Sequence, residues 1–257
     1  MSVTFEKYEF GKKKNKYCLV IPVINEGGNF KNQLKRVKPY TKLIDVIIAD
    51  GGSTDGSTEA KFLKSQWVTV LLVKTSPGRL GSQYRMAYDF ALKRGYLGIV
   101  QMDGNGKDDP KSIPEFIRLL DLGYDYIQGS RYISGGQAIN TPLEREIANK
   151  YIFSPILSLA AHKIYTDTSN GHRAHSKKLL TDTRLDLSRD VFSNYEILFY
   201  VTARANRLGF RTTELPVTRS YPPAGKTPTK IVGWKKKFDV LEMAIKAALG
   251  HYNPSRP

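Results

Sequence analysis

Gly98-Ile99-Val100-Gln101-Met102-Asp103-Gly104-Asn105-Gly106-Lys107-Asp108-Asp109-Pro110 is the stretch that decides how this chain folds. An apolar run stops at Asp103 and gives way to a glycine-rich, acidic turn. That pattern predicts a buried strand delivering a carboxylate to the open edge of a sheet. In open α/β sheets, ligands sit at that carboxyl edge. Gly104 and Gly106 allow the backbone to turn and to approach a ligand closely. Asp103 and Asn105 can then point oxygens at a hard cation holding a diphosphate. The competing reading is an ordinary strand-to-helix loop, because Asp, Asn and Gly are standard turn formers.

Working outward, the same grammar repeats. Tyr17 to Ile21 is a continuous apolar run ended by Pro22, and Phe30, Leu34 and Val37 follow at helical spacing. Ile44 to Ala49 runs into Asp50-Gly51-Gly52-Ser53-Thr54-Asp55-Gly56, and Trp67 to Val73 is rich in β-branched residues. A loop with Pro77, Gly78 and Gly81 leads to a helix carrying Met86, Ala87, Phe90 and Ala91. Pro114 to Leu120 reads as a helix and Tyr124 to Gln128 as a fifth strand. Strands alternating with helices predict an α/β domain with a mostly parallel sheet covered on both faces. The loop after the first strand holds only Gly27-Gly28, which argues against the G-x-G-x-x-G mode of dinucleotide binding. The second half differs: Glu144 to Tyr165 is mostly helical, with Ile147, Tyr151, Ile156 and Leu159 on one side. Asp167 to Arg173 is a polar loop, Tyr195 to Arg207 a helix and Phe210 to Thr218 a strand.

Composition narrows the partners. A formal charge of +16 over 257 residues suits nucleic acid, an anionic membrane surface or phosphorylated substrates. No nucleic-acid-binding motif accompanies the charge, so nucleic acid is not expected. The single cysteine, Cys18, lies inside an apolar run and fits a reducing compartment. The N-terminus carries no apolar signal core, and the longest apolar stretches are too short to span a bilayer. A cytoplasmic protein, peripheral at the inner face of the membrane, is expected. None of His162, His172, His175 and His251 has metal-ligand spacing.

Six motifs in order carry a resemblance. Pro22-Val23-Ile24-Asn25-Glu26 is similar to P-x-x-N-E, and Asp50 to Asp55 to D-D-G-S-T-D with Gly for the second Asp. Asp103-Gly104-Asn105 stands where D-x-D is expected, and Gly129-Ser130-Arg131-Tyr132 with Gly135-Gly136 matches G-S-R-Y-x-x-G-G. Asp167 to Arg173 resembles D-x-T-S-G-F-R, with one residue inserted and His172 for Phe. Arg219, Gly225 and Lys230 are similar to R-x-x-G-x-S-K at longer spacing. Between Tyr17 and Lys230 the chain thus resembles the family-2 glycosyltransferases. It is most similar to the branch of dolichol-phosphate mannose synthases and polyprenyl-phosphate glycosyltransferases.

The resemblance implies a GT-A, Rossmann-like fold with a small acceptor-side C-terminal lobe. It implies an inverting transfer of a sugar from a nucleotide-sugar donor to a lipid phosphate or lipid-linked acceptor. Pro22, Val23, Glu26 and Asp50 would hold the nucleoside, while Gly81 and Gly104 let the backbone close on the donor. Asp103, with Asn105, would bind Mg²⁺ or Mn²⁺ bridging the diphosphate, although an amide oxygen is a poorer ligand than a carboxylate. Arg131 would meet a phosphate or the sugar; a structural salt bridge is its alternative. Arg219, Lys226 and Lys230 suit an anionic acceptor or the donor phosphate, with a solvated basic loop as the bland reading. Asp167 is the candidate base if the acceptor is a hydroxyl, and turn capping is its other reading. For Glu26 and Asp55 the local alternative is capping of a helix N-terminus.

Two organisational expectations complete the reading. Residues 1–230 form the catalytic domain and residues 231–257 an amphipathic tail. In the tail Trp234, Phe238, Leu241, Ile245 and Leu249 fall near one helical face beside Lys235 to Lys237. That face suits an anionic membrane interface, or packing on the catalytic domain or a partner. Two functional alternatives stay open: sugar transfer to a hydroxyl in cell-surface polysaccharide synthesis, and a binding protein that kept the fold but lost catalysis.

Overall fold

The computed structural model describes residues 3–223 and 233–254. The chain runs β1 (Phe5–Glu9), β2 (Cys18–Val23), α1 (Gly27–Val37), β3 (Asp45–Asp50), α2 (Ala60–Ser65), β4 (Val70–Lys74) and α3 (Leu80–Lys93). It continues through β5 (Gly98–Gln101), α4 (Ile113–Asp121), β6 (Tyr126–Ser130), β7 (Gln137–Ile139), α5 (Leu143–Ala148) and α6 (Ser154–Ala161). The last elements are β8 (Arg173–Ser176), α7 (Lys177–Leu180), α8 (Glu196–Arg204), β9 (Thr212–Pro216), β10 (Thr218–Ser220) and α9 (Trp234–Ala248).

Eight strands form one sheet in the order β1-β4-β3-β2-β5-β8-β6-β9. The pairings β2–β3, β2–β5, β3–β4 and β6–β9 are parallel, as the alternating pattern predicts. β2 and β3 are buried at every position because helices cover both faces. Successive residues point opposite ways. Cys18 and Val20 join a core with α3, α6, α8 and α9, whereas Leu19 and Ile21 join a second core with α1 and α4.

Four features depart from the expectations. β1 is an antiparallel edge strand on β4, in a segment that shows no apolar run. β8 follows directly on the polar loop and lies antiparallel between β5 and β6. Its sequence, Arg173-Ala174-His175-Ser176, hides it, because a strand this polar is buried only where its side chains find partners inside. The strand expected from Trp67 starts at Val70, since Trp67 has φ 60° and turns the chain out of α2. The side of the 144–165 segment carrying Ile147, Tyr151 and Leu159 faces outward, at 46, 74 and 80% exposure. Here α5 and α6 are joined by a single π turn, Asn149–Phe153.

The α9 helix is docked through its small residues. Ala244 and Ala247 are buried against the core shared with α6 and α8, and Val240 and Met243 pack beside them. Trp234, Phe238 and Leu249 stay exposed. A second, two-stranded sheet pairs β10 with β7 in parallel and carries Arg219 toward the carboxyl edge of the main sheet.

Candidate active site

A cavity of about 650 Å³ opens where β2, β3 and β5 end. Its floor depends on residues that tie loops together. The Gln83 amide donates to Val23 O at 2.9 Å and to Ala49 O at 2.7 Å, bracing the ends of β2 and β3. Gln33 clamps the turn after β5: its amide donates to Asp103 O and its carbonyl accepts from Gly106 N, both at 2.7 Å. Gly104 is required there, because a Cβ would stand 2.6 Å from Pro22 O. Gly171 is required too, since its Cβ would stand 2.4 Å from Asp103 Oδ1. Gly81 allows α3 to begin 2.6 Å from the carbonyls of Phe192 and Asn194, measured from the same hypothetical Cβ.

Asp103 is the centre of the charged cluster. Its Oδ2 accepts from Arg219 Nη2 at 2.8 Å and, weakly, from Asn105 Nδ2 at 3.4 Å. Arg219 Nη1 donates to Asp108 Oδ1 at 2.5 Å, and Asp108 Oδ2 accepts from Asp103 N at 3.2 Å. Burial alone would raise the Asp103 carboxyl, but Arg219 and Lys107 outweigh it and hold the group below its ordinary value. Burial, reinforced by Arg219, pushes the Lys107 ammonium down to about 7. Main-chain bonds fix the geometry: Asp109 N donates to Thr218 O and Ser220 N to Lys107 O. Strand pairing therefore fixes the Arg219 backbone, and the two carboxylates hold its guanidinium.

The other sequence-expected residues fall as follows. Pro22, Val23, Glu26, Asp103, Gly104, Asn105, Arg131 and Arg219 line the cavity, and Gly81 lies at its rim between Leu80 and Gln83, which do. Asp50 is 1% exposed. Its oxygens accept from the backbone N–H of Gly52 and Ser53 and from the hydroxyls of Ser53 and Thr58. The strand end thus presents Gly51 rather than Asp50 to the cavity. Asp55 accepts from Gly27 N at 2.9 Å, which makes it a cap for α1; Glu26 makes no side-chain cap bond. Asp167 is fully buried and meets Arg131 in a two-point pair, Nε to Oδ2 at 2.6 Å and Nη2 to Oδ1 at 2.8 Å. Both Asp167 oxygens are taken by Arg131, which favours the salt-bridge reading of Arg131 and disfavours Asp167 as the group that abstracts a proton. Asp109 caps the turn at Pro110 through Lys111 N. Lys226 and Lys230 lie outside the described residues.

Sequence reasoning did not single out Gln33, Gln83, Lys107 or Arg173. Arg173 is 1% exposed and satisfies its guanidinium on five neutral groups, among them Leu198 O and Thr168 O at 2.8 Å. Lys107 follows Asp103 by four residues in the motif itself, and that spacing was the available signal.

The donor set suits a divalent cation that arrives with phosphate. Asp103 offers a carboxylate and Asn105 an amide oxygen; among the described residues no group of three His, Cys, Asp or Glu gathers around a common point. A small hard cation commonly takes one or two protein oxygens and completes its shell with substrate phosphate and water.

Residues 18–183 match glycosyl transferase family 2. Polyprenol monophosphomannose synthase of Mycolicibacterium smegmatis is 30% identical over 78% of this chain and 76% of its own length. Undecaprenyl-phosphate mannosyltransferase of Micrococcus luteus is 29% identical over 77% and 81%. The fold is that of glucosyl-3-phosphoglycerate synthase from Mycobacterium tuberculosis, solved with Mn²⁺, uridine diphosphate and glucosyl-3-phosphoglycerate. That similarity has a TM-score of 0.62 at 14% identity and covers 93% of this chain and 81% of that one. A mostly parallel sheet with a carboxylate at its central strand end, six motifs in order and this extent of similarity agree: the chain belongs to glycosyl transferase family 2 and is a nucleotide-sugar glycosyltransferase.

Proposed function

We propose that this enzyme moves a sugar, with inversion, from a nucleotide-sugar to the phosphate of a polyprenyl lipid at an anionic membrane surface. The observation that carries the reading is the course of the cavity. One end meets the strand termini at Asp103; the other passes between α5 and α9, where Arg145, Lys236 and Lys237 line it. Lys237 Nζ reaches Glu144 at 2.7 Å and holds the two helices together at that mouth. Leu143, Ile147, Trp234 and Phe238 are exposed on the same two helices. A phosphate entering here meets three cations set against the two carboxylates of Glu144 and Asp239, and its hydrocarbon chain leaves along apolar side chains. Both curated relatives are named for mannose transfer involving polyprenyl phosphate, in keeping with that geometry. Among the described residues no helix is long and apolar enough to cross a membrane, so attachment by exposed faces is the mode proposed.

At the donor end, Pro22, Val23 and Glu26 flank the nucleoside and Gly81 and Gly104 admit the backbone to it. Asp103 and Asn105 would hold Mg²⁺ or Mn²⁺, which supplies charge neutralisation for the departing diphosphate. Arg219 adds fixed positive charge on the same side, and Lys107 stands beside it. A lipid phosphate is already anionic, so attack on the anomeric carbon calls for positioning by cations and not for a base. The pairing of Asp167 with Arg131 fits that requirement.

The test is transfer from radiolabelled uridine- and guanosine-diphosphate hexoses to polyprenyl phosphate in vesicles, with Mg²⁺ or Mn²⁺ present. Label should enter the organic phase as an acid-labile lipid, and Asp103→Ala should abolish it. Label appearing only on hydroxyl acceptors would overturn the phosphate-acceptor reading.

A further inference from the structure

The Arg219 guanidinium is bound where a donor-borne cation would have to bind. It takes Oδ2 of Asp103 at 2.8 Å, while its other edge holds Asp108 at 2.5 Å, and it is only 5% exposed. The Asp103 carboxylate is already paired with a cation, so a lone divalent cation has to displace the Arg219 guanidinium to reach it. The bonds between residues 107–109 and 218–220 pin the Arg219 backbone, so any release of Asp103 is a movement of the side chain alone. The guanidinium has a second anchor in Asp108 and can release Asp103 without losing its countercharge. A diphosphate would change the balance: it adds negative charge that Arg219 and Lys107 can face, and it brings oxygens that complete a cation's shell.

Resting on the donor-site reading above, we propose that Arg219 is an internal competitor of the divalent cation at Asp103, so that the cation binds only together with the nucleoside diphosphate. Arg219 holds the carboxylate in place while the site is empty of donor and hands it over when the diphosphate arrives. By linkage, the cation and the nucleotide must then raise each other's affinity by the same factor. The Asp103 carboxylate is the shared element.

The experiment is a titration of the purified full chain with Mn²⁺, following the free-ion electron paramagnetic resonance signal. It is run alone and with uridine or guanosine diphosphate, and the Mn²⁺ taken by nucleotide in protein-free controls is subtracted. The wild type should leave the signal undiminished without nucleotide and bind one Mn²⁺ with it. Arg219→Gln should bind Mn²⁺ without nucleotide, with affinity at least about tenfold above wild type. Removing Arg219 leaves Asp108 buried without its partner, so Arg219→Lys is the companion variant. It keeps the charge but cannot span both carboxylates, and it should also gain nucleotide-free binding. Asp103→Asn should bind no Mn²⁺ under either condition. Wild-type and folded Arg219 variants binding Mn²⁺ equally well without nucleotide would overturn the competition. Failure of every nucleoside diphosphate to bind the wild type would instead overturn the donor-site reading itself.

Discussion

Arg131 and Asp167 are 4 and 0% exposed, and each is the other's only ionic partner in the described residues. Breaking such a pair from one side costs roughly 3–5 kcal/mol, because the remaining charge is stranded in the interior. Asp167→Asn should therefore lower the urea midpoint sharply, whereas the double change Arg131→Met with Asp167→Leu should lose less than the two single changes summed. Additive losses would show that the pair acts through something other than its charges. A second residue-scale expectation concerns pH. Burial pushes His172 down to about 4 and His175 to about 3, against an ordinary value of 6.5. Between those values and 6.5 the unfolded chain binds more protons than the folded one, so stability is full above about 6.5 and falls as pH drops toward 4. For His172 the loss is on the order of 3 kcal/mol. Both of its ring nitrogens lack partners among the described residues, and the ring lies 4.6 Å from that of Phe116. His172→Phe should raise the melting temperature more at pH 5 than at pH 7.5; an equal rise at both would refute the protonation account. These residues also mark what a sequence discloses. Asp103 was legible because an apolar run that ends on a carboxylate carries that carboxylate to the edge of a sheet. Asp50 carries the same signature, but nothing in the sequence shows that the donors of its own loop saturate it. Gln33 and Gln83 act on atoms 34 to 73 residues away, and local pattern has no access to that.

At the scale of elements, the parallel strands and their covering helices followed from period and punctuation, and β8 did not. Its place between β5 and β6 is secured by Gln101, which receives Tyr88 OH at 2.5 Å and lies 3.1 Å from His175 Nε2. A polar strand of this kind is recognised only once its partners are known. The α9 helix teaches the converse. Its apolar stripe was evident from spacing, yet the docked surface proved to be the alanines, leaving the large side chains outward. Burying one large apolar side chain contributes about 1.5–3 kcal/mol, so the outward face is a strong candidate for interfacial contact. Tyr151→Glu with Phe238→Glu should cut co-sedimentation with anionic vesicles at least about tenfold and leave nucleotide binding unchanged. Wild-type binding should also weaken as salt rises. Unaltered sedimentation of the double variant would rule these faces out as the point of attachment.

For the molecule as a whole, the sequence carries an excess of sixteen positive charges while the cavity mixes both signs, with Glu26, Asp103, Glu144 and Asp239 among the cations. The global field thus favours approach to an anionic surface, and local pairing decides what stays. The sheet order has a further consequence, for the growing chain on the ribosome. Because β8 is wedged between β5 and β6, residues 126–130 leave the ribosome with no neighbour to pair with until residues 173–176 follow. Until then β5 also presents an open edge, the kind of surface that recruits other chains. Synthesis therefore passes through a vulnerable interval, and a chaperone or a fast elongation rate through this window would set the yield. Chains truncated after residue 165 should pellet or bind chaperones, and the released full chain should not.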